Sequence, residues 1–281
     1  MTEGMTHTAF SLRHRLALSL SALAAGLMTS APATAGTDMV QVAVLPGWIA
    51  EDGSHMAALH VTLAPGWKTY WRAPGDAGIP PSIDWRGSDN LSDVALIWPT
   101  PEVFNQNGLR SVGYDEELVL PMRIKPRDAG QPVKLAAQMQ IGVCNTICVP
   151  LEFTFALDLP SSGSDPQARK IRSALSDQPV SAAKARVDRV ACSIAPISDG
   201  LGLTVEIAMP STGGTETVLV ETADPQVWVA ETNTTRQGNT LIARTELVHA
   251  SGGAFALDRS GLRLTVLGAN HAVDIRGCTS D

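Results

Sequence analysis

Two cysteines, Cys144 and Cys148, lie close together within a long stretch of alternating apolar and polar residues. Apolar residues occupy every second position on both sides of the pair: Val133, Leu135, Ala137, Met139, Ile141 and Val143 before it, and Leu151, Phe153, Phe155 and Leu157 after it. This period of two predicts two β-strands, each with one buried face. Both cysteines have the parity of the polar positions, so we expect both sulfurs on the face that points away from the core.

A disulfide between these cysteines requires the chain to reverse direction between them. Bonded cysteines have Cα atoms roughly 4.4–6.8 Å apart, whereas four residues of an extended strand cover about 13 Å. Asn145 and Thr146 are typical turn residues, and Pro150 restricts the returning strand to a sheet edge or an irregular start. The sequence therefore predicts a tight β-hairpin that carries the pair.

Three roles fit this pair. A disulfide over so short a loop restricts the unfolded chain little, and strained or exposed disulfides are the ones that exchange readily. A redox-active pair is therefore the favoured interpretation, with a structural clip and a soft-metal site for Cu(I) as alternatives. Two thiolates make an incomplete zinc site, and no cysteine or histidine follows at ligand spacing. Because no lysine, arginine or histidine flanks the pair, nothing local predicts a strongly activated thiolate.

The N-terminus has the features of a secretory signal peptide. A basic segment at residues 13–15 precedes an apolar stretch at residues 16–28 and a small-residue cleavage site at residues 33–35. The apolar stretch is too short to span a bilayer. We expect cleavage near Ala35 and export to an oxidising compartment, where disulfides persist.

Length and charge limit the function classes. Without the signal peptide, roughly 245 residues remain, which suggests two domains. The net charge of −7 argues against nucleic acid or an anionic membrane surface as a partner. The histidines are scattered, no catalytic triad or phosphate-binding glycine loop stands out, and neither a metal site nor a cofactor is predicted.

The sequence predicts an all-β fold of two β-sandwich domains, at residues 36–160 and 187–281. Residues 161–186 interrupt the β pattern, and we interpret them as a linker with one short helix beginning near Asp165 and Pro166. Strands of the second domain are expected at residues 187–194, 201–208, 217–221, 227–231, 240–247, 254–258, 262–267 and 272–276. Cys192 and Cys278, near its two ends, are predicted to form a structural disulfide, which could contribute on the order of 4 kcal/mol.

Four segments of the first domain form a recognisable series. They read PGWKTYWRAPGDAG (residues 65–78), WPTPEVF (98–104), GY with LVLP (113–121) and VCNTICVP (143–150). In this order they resemble the N-terminal periplasmic domain of the thiol:disulfide interchange protein DsbD. They are more similar still to the longer N-terminal region of the ScsB proteins linked to copper tolerance. The likeness covers about residues 38–160, and the second domain resembles the longer ScsB type only in general layout.

The resemblance implies an immunoglobulin-like sandwich in which Cys144 and Cys148 are the exchanging pair. It implies that electrons come from a membrane-embedded donor through a thioredoxin-like module and pass to periplasmic oxidoreductases. DsbD has a longer spacing between its cysteines, and this chain has no transmembrane or thioredoxin-like part, so we expect the partners to be separate proteins. The expected function is periplasmic thiol–disulfide interchange. The alternative is a non-catalytic binding module or copper-handling protein in which the cysteines are a clip or Cu(I) ligands.

The resemblance also implies a cap loop that shields the cysteines with an aromatic side chain. Phe104 falls at the aromatic position and Glu102 where the family carries acidic residues. Tyr70 and Trp71 belong to a dense aromatic group, for which core packing and shielding of the pair are both open interpretations. Which of the two sulfurs is attacked also stays open.

Overall fold

The computed structural model describes residues 34–106, 108–159 and 167–280, together with Met1. Apart from Met1, the predicted signal peptide lies outside these residues except at its end, where Thr34 and Ala35 belong to the first strand. The start predicted for the helix, at Asp165 and Pro166, also lies outside them. Among the described residues, no helix has the length and apolar character to cross a membrane.

Residues 34–159 form a first sandwich. Its strands are β1 (Thr34–Gly36), β2 (Val40–Ile49), β3 (His55–Leu63), β4 (Lys68–Tyr70), β5 (Ser82–Asp84), β6 (Leu91–Leu96), β7 (Glu102–Gln106), β8 (Leu109–Asp115), β9 (Glu117–Pro126), β10 (Val133–Cys144) and β11 (Cys148–Leu159). They form two antiparallel sheets, ordered β1-β2-β3-β9-β6 and β11-β10-β4-β8-β7, with β5 beside β10. Alternate residues of both sheets enclose one apolar core, as the period of two predicts.

The cysteine hairpin has the predicted form. β10 and β11 pair without interruption from Val133 opposite Leu159 to Cys144 opposite Cys148. The chain therefore reverses between the two cysteines. Pro150 lies in β11, the outermost strand of its sheet, where a missing backbone N–H is tolerated.

The segment predicted as a linker contains the helix α1 (Ala168–Ser176), which lies against the first sandwich. Ile171 is fully buried against Leu45, Met56 and Ala58 of β2 and β3. Glu117 of β9 accepts a hydrogen bond from Lys170. The helix is thus fixed by packing of its apolar face and by an ion pair.

Residues 180–280 form a second sandwich. Its strands are β12 (Val180–Ser181), β13 (Arg189–Ile197), β14 (Gly200–Ala208), β15 (Thr217–Glu221), β16 (Val227–Val229), β17 (Asn233–Gln237), β18 (Thr240–His249), β19 (Arg263–Leu267), β20 (Ala272–Arg276) and β21 (Thr279–Ser280). The sheets are ordered β12-β20-β19-β15 and β16-β18-β14-β13-β21, with β17 beside β18. A disulfide joins Cys192 to Cys278, with Cα atoms 5.8 Å apart. The all-β, immunoglobulin-like fold class is confirmed.

One strand prediction in this sandwich is wrong, and one strand was missed. Residues 254–258 have no strand structure, although Phe255 and Leu257 pack against the core. β17 was not predicted, because its sequence NTTRQ has no apolar residue. Alternating apolar residues thus indicate contact with the core, and strand pairing can occur without them.

The two sandwiches are in contact along the outer face of the β12-β20-β19-β15 sheet. Leu219, Leu267 and Ala272 project from this face and join the core cluster of the first sandwich. The contact is therefore partly apolar.

Glu216 and Arg236 form an enclosed ion pair in the second sandwich. The Glu216 carboxylate accepts hydrogen bonds from Arg236 and from the backbone N and hydroxyl of Thr212, at 2.8 and 2.9 Å for the latter two. Burial alone would raise the pKa of Glu216, but these hydrogen bonds outweigh it and lower the pKa to about 2. The ionised carboxylate therefore stabilises the folded state.

Replacing Glu216 with Gln should lower the free energy of unfolding at pH 7 by about 2 kcal/mol. The wild-type advantage is fully present above the unfolded pKa of 4.5 and is lost as the pH falls toward 2. Denaturant unfolding between pH 2 and 7 measures it, with the exposed Glu206→Gln as control. A difference that does not shrink on acidification would contradict this account.

Candidate functional site

One face of the β11-β10-β4-β8-β7 sheet carries most of the residues that the sequence singled out. Cys144 lies between Cys148 on one side and Lys68 on the other. Residues paired across antiparallel strands project from the same face, and so do alternate residues of one strand. The register therefore assigns these residues to one face: Cys148, Cys144, Lys68, Tyr70, Ser111, Glu102 and Phe104.

The two sulfurs of the disulfide differ in exposure. Cys144 and Cys148 are bonded, with Cα atoms 4.1 Å apart. Both lie on the face predicted from their parity, but Cys144 is only 1% exposed whereas Cys148 is exposed. The face predicted for both sulfurs is thus correct, but Cys144 is nevertheless buried, because residues distant in sequence cover it on that face.

Tyr70 is the side chain that covers Cys144. Its hydroxyl donates a hydrogen bond to Cys144 Sγ at 2.7 Å and lies 3.3 Å from Cys148 Sγ. Burial raises the pKa of Tyr70, so the hydroxyl keeps its proton and remains a donor. Tyr70 therefore contributes both a steric cover and a polar contact to the disulfide.

A loop after β4, the cover loop (residues 72–79), packs over Tyr70. The Tyr70 hydroxyl lies 3.3 Å from the carbonyl oxygen of Ala77, and Val112 donates a backbone hydrogen bond to Pro74 at 2.9 Å. Gly142 makes room for this packing, since a Cβ there would lie 2.6 Å from the Cβ of Ile79. The cover loop closes the site over Cys144.

Trp71 lies elsewhere. It follows Tyr70 directly, and consecutive residues of an extended chain point to opposite sides. Trp71 is fully buried in the core of the first sandwich, where its ring stacks against the Arg72 guanidinium at 3.7 Å. Of the two interpretations left open for Trp71, its position supports core packing.

The hairpin of β7 and β8, the cap hairpin, approaches the disulfide from the other side. Lys68 Nζ lies 5.1 Å from the centre of the half-buried Phe104 ring and donates to Gln106 Oε1 at 3.1 Å and Ser111 Oγ at 3.3 Å. Gln106 Nε2 in turn donates to the carbonyl oxygen of Asn145, between the cysteines, at 3.2 Å. The cap hairpin thus contacts the cysteine hairpin through Gln106.

Glu102 is the first residue of β7 in the cap hairpin. Partial burial and the nearby carboxylates of Asp115 and Glu116 raise its pKa. These carboxylates give this end of the cap hairpin a negative charge.

Sequence reasoning missed Lys68 and Gln106. Lys68 is 76 positions before Cys144, yet it is the residue directly opposite Cys144 in the neighbouring strand. Partial burial lowers the pKa of Lys68. In the sequence, the one indication of its place in the site is that Lys68 lies two positions before Tyr70, in the motif at residues 65–78, and therefore on the same face of a strand.

The structure offers little to a metal ion in the part that it describes. No group of three or more His, Cys, Asp or Glu residues there could hold one. Met56, Met122 and Met139 are buried in apolar clusters.

The Tyr70→Phe variant should keep the cover but lose the hydrogen bond to Cys144. A hydrogen bond to a charged group contributes roughly 1.5–3 kcal/mol, so we expect the thiolate leaving at Cys144 to form about tenfold more slowly. The rate of disulfide reduction by dithiothreitol measures this. Tyr114→Phe is the matched control, because the Tyr114 hydroxyl donates to Pro99 instead. Equal rates for all three proteins would contradict the assigned role of Tyr70.

Comparison with known proteins gives one family match and one similar solved structure. Residues 40–160 match the family model described as "Thiol:disulfide interchange protein DsbD, N-terminal". No curated protein matches the chain. The crystal structure of the N-terminal periplasmic domain of ScsB from Proteus mirabilis is 23% identical, with a TM-score of 0.68 over 87% of this chain and 95% of that one. The predicted resemblance is thus confirmed: residues 40–160 match the DsbD N-terminal model, and the chain shares its fold with the ScsB domain.

Proposed function

We propose that this chain is a periplasmic thiol–disulfide interchange protein that relays electrons through Cys144 and Cys148. The observation that carries the proposal is the asymmetry of the disulfide, with Cys148 exposed and Cys144 buried against the Tyr70 hydroxyl. Exchange requires one accessible sulfur and one good leaving thiolate. The match of residues 40–160 to the DsbD N-terminal model supports the same chemistry.

Reduction begins at the exposed sulfur. A thiolate of the partner attacks Cys148 Sγ, the bond between Cys148 and Cys144 breaks, and the electron pair leaves on Cys144 as a thiolate. A mixed disulfide now joins Cys148 to the partner. The hydroxyl of Tyr70, already 2.7 Å from Cys144 Sγ, stabilises the thiolate that forms.

The second step releases the partner. Its second cysteine attacks the partner sulfur of the mixed disulfide, which frees Cys148 as a thiolate and leaves the partner oxidised. Two electrons have then entered the chain, and two protons from water complete the dithiol. The reverse sequence passes the same electrons to an oxidised acceptor.

Lys68 is a basic residue on the same sheet face as the pair, and its ammonium group donates to Gln106 and Ser111 of the cap hairpin. Lys68 lies directly opposite Cys144 in the sheet, and a lysine near a cysteine favours the thiolate. The sequence alone suggested an unactivated pair, because strand pairing rather than chain proximity brings Lys68 to this face.

The partners we propose are thioredoxin-like oxidoreductases of the periplasm and a membrane-embedded electron donor. Two exposed apolar side chains lie on the two hairpins of the site: Ile147, 65% exposed, in the turn between the cysteines, and Leu109, 57% exposed, at the start of β8 in the cap hairpin. The predicted signal peptide and the printed title of the ScsB structure, a periplasmic domain, support this location.

Single cysteine variants test which sulfur is attacked. Cys144→Ala leaves Cys148 as the free thiol, and Cys148→Ala leaves Cys144. Cys148 should react with a chromogenic disulfide such as 5,5′-dithiobis(2-nitrobenzoate) at least about tenfold faster than Cys144, because burial limits access to Cys144.

Both variants should lose electron transfer from reduced thioredoxin. Retention of transfer in either variant, with an unchanged unfolding temperature, would refute the relay. Loss of stability alone would favour a structural clip, and a stoichiometric Cu(I) complex of the reduced protein would favour copper handling.

A further inference from the structure

Each of the two elements around the disulfide extends one arginine to the second sandwich. Arg72 begins the cover loop, and Arg110 lies in β8 of the cap hairpin. Their acceptors are on different strands and loops of the second sandwich. The two contacts therefore join the surroundings of Cys144 to another part of the molecule at two separate points.

Arg72 forms a bidentate ion pair. Its Nε and Nη2 atoms donate to the two carboxylate oxygens of Glu221, each at 2.9 Å, at the end of β15. The side chains are 15% and 20% exposed, and the guanidinium also stacks on Trp71. A bidentate pair of this kind is both strong and directional.

Arg110 forms the second connection. Its Nη2 atom donates to the carbonyl oxygen of Thr232 at 2.8 Å, and its Nε lies 3.2 Å from a carboxylate oxygen of Glu231. Thr232 is buried, and its own hydroxyl bonds to the carbonyl oxygen of Val218 in β15. The acceptor is thus fixed within the second sandwich.

The cap hairpin needs such support. β7 is the last strand of its sheet, and β8 pairs on its other side with the three residues of β4, beyond which Val112 bonds to the backbone of Trp71 and Pro74. Val112 and Tyr114 fix β8 in the core, so the outer strand β7 and the tip of the hairpin are the parts that open at the lowest free-energy cost. Breaking the contact to Arg110 would leave a largely buried guanidinium without its acceptors, which makes opening harder.

We propose that the second sandwich anchors the cover of the disulfide, with Arg72 and Arg110 as the positioning residues that hold the cover loop and the cap hairpin in place. The inference rests on the proposed exchange function for its purpose: a held cover limits wrong exchange by small thiols and leaves Cys148 for a docked partner. The restriction concerns access to Cys144, which adds a second point of attack when the cover opens, and it is independent of any partner.

The test uses the full mature chain and a small thiol. Reduction of Cys144–Cys148 by dithiothreitol under native conditions is followed by mass counting of alkylated cysteines. We expect Glu221→Gln and Arg110→Gln each to be reduced about tenfold faster, and the double variant faster than either, because each loses a charged hydrogen-bonded contact. The exposed Glu246→Gln is the matched control in the second sandwich and should be unchanged.

Two readouts separate anchoring from general destabilisation. Cys192–Cys278 should stay oxidised in every variant, and Arg110→Lys, which keeps the charge, should recover part of the protection. Unchanged reduction rates in Glu221→Gln and Arg110→Gln would overturn the proposal, and so would equal acceleration at both disulfides, which indicates global unfolding. Faster reduction by dithiothreitol with no transfer from thioredoxin in any protein would refute the relay and leave the anchoring intact.

Discussion

The pairing of β4 with β10 is the constraint on which the site depends. It places Lys68 directly opposite Cys144 and, two residues further, brings the Tyr70 hydroxyl to the sulfur. A shift of one residue would turn both side chains into the core and bring Thr69 to the disulfide instead. The Thr69 hydroxyl resists such a shift, because it donates to the carbonyl oxygen of Gly142 on the buried side, at 2.9 Å. Register thus determines which sulfur is covered.

Local patterns allowed much of this molecule to be predicted. Alternation in residues 133–157 predicted the two long strands, and the distance limits on a disulfide predicted the reversal between Cys144 and Cys148. The covering of Cys144 was not predictable in this way, because it depends on residues more than 60 positions away. Tyr70 and Trp71 are adjacent and both aromatic. Only the strand geometry shows that Tyr70 covers Cys144 and that Trp71 lies in the core. β17 was missed because a strand with no buried face leaves no apolar period.

The second sandwich has a structural reason to be present beside the first. Its outer face supplies Leu219, Leu267 and Ala272 to the neighbouring core, and Glu221 from the same face binds Arg72. Apolar area gives such a contact its stability, whereas the charged pairs fix its orientation. Sequence reasoning found the sandwich but not this face, since Glu221 resembles any other polar residue at the end of a strand.

We propose that one disulfide of this chain exchanges and that the other is structural. Equilibrating the mature protein in thiol buffers of graded potential, and counting modified cysteines by mass, gives both reduction potentials in one experiment. We predict a potential well above about −300 mV for Cys144–Cys148, with Cys192–Cys278 still oxidised there, because structural disulfides of secreted proteins usually lie below that value. A Cys144–Cys148 pair that resists reduction as strongly as Cys192–Cys278 would contradict the account.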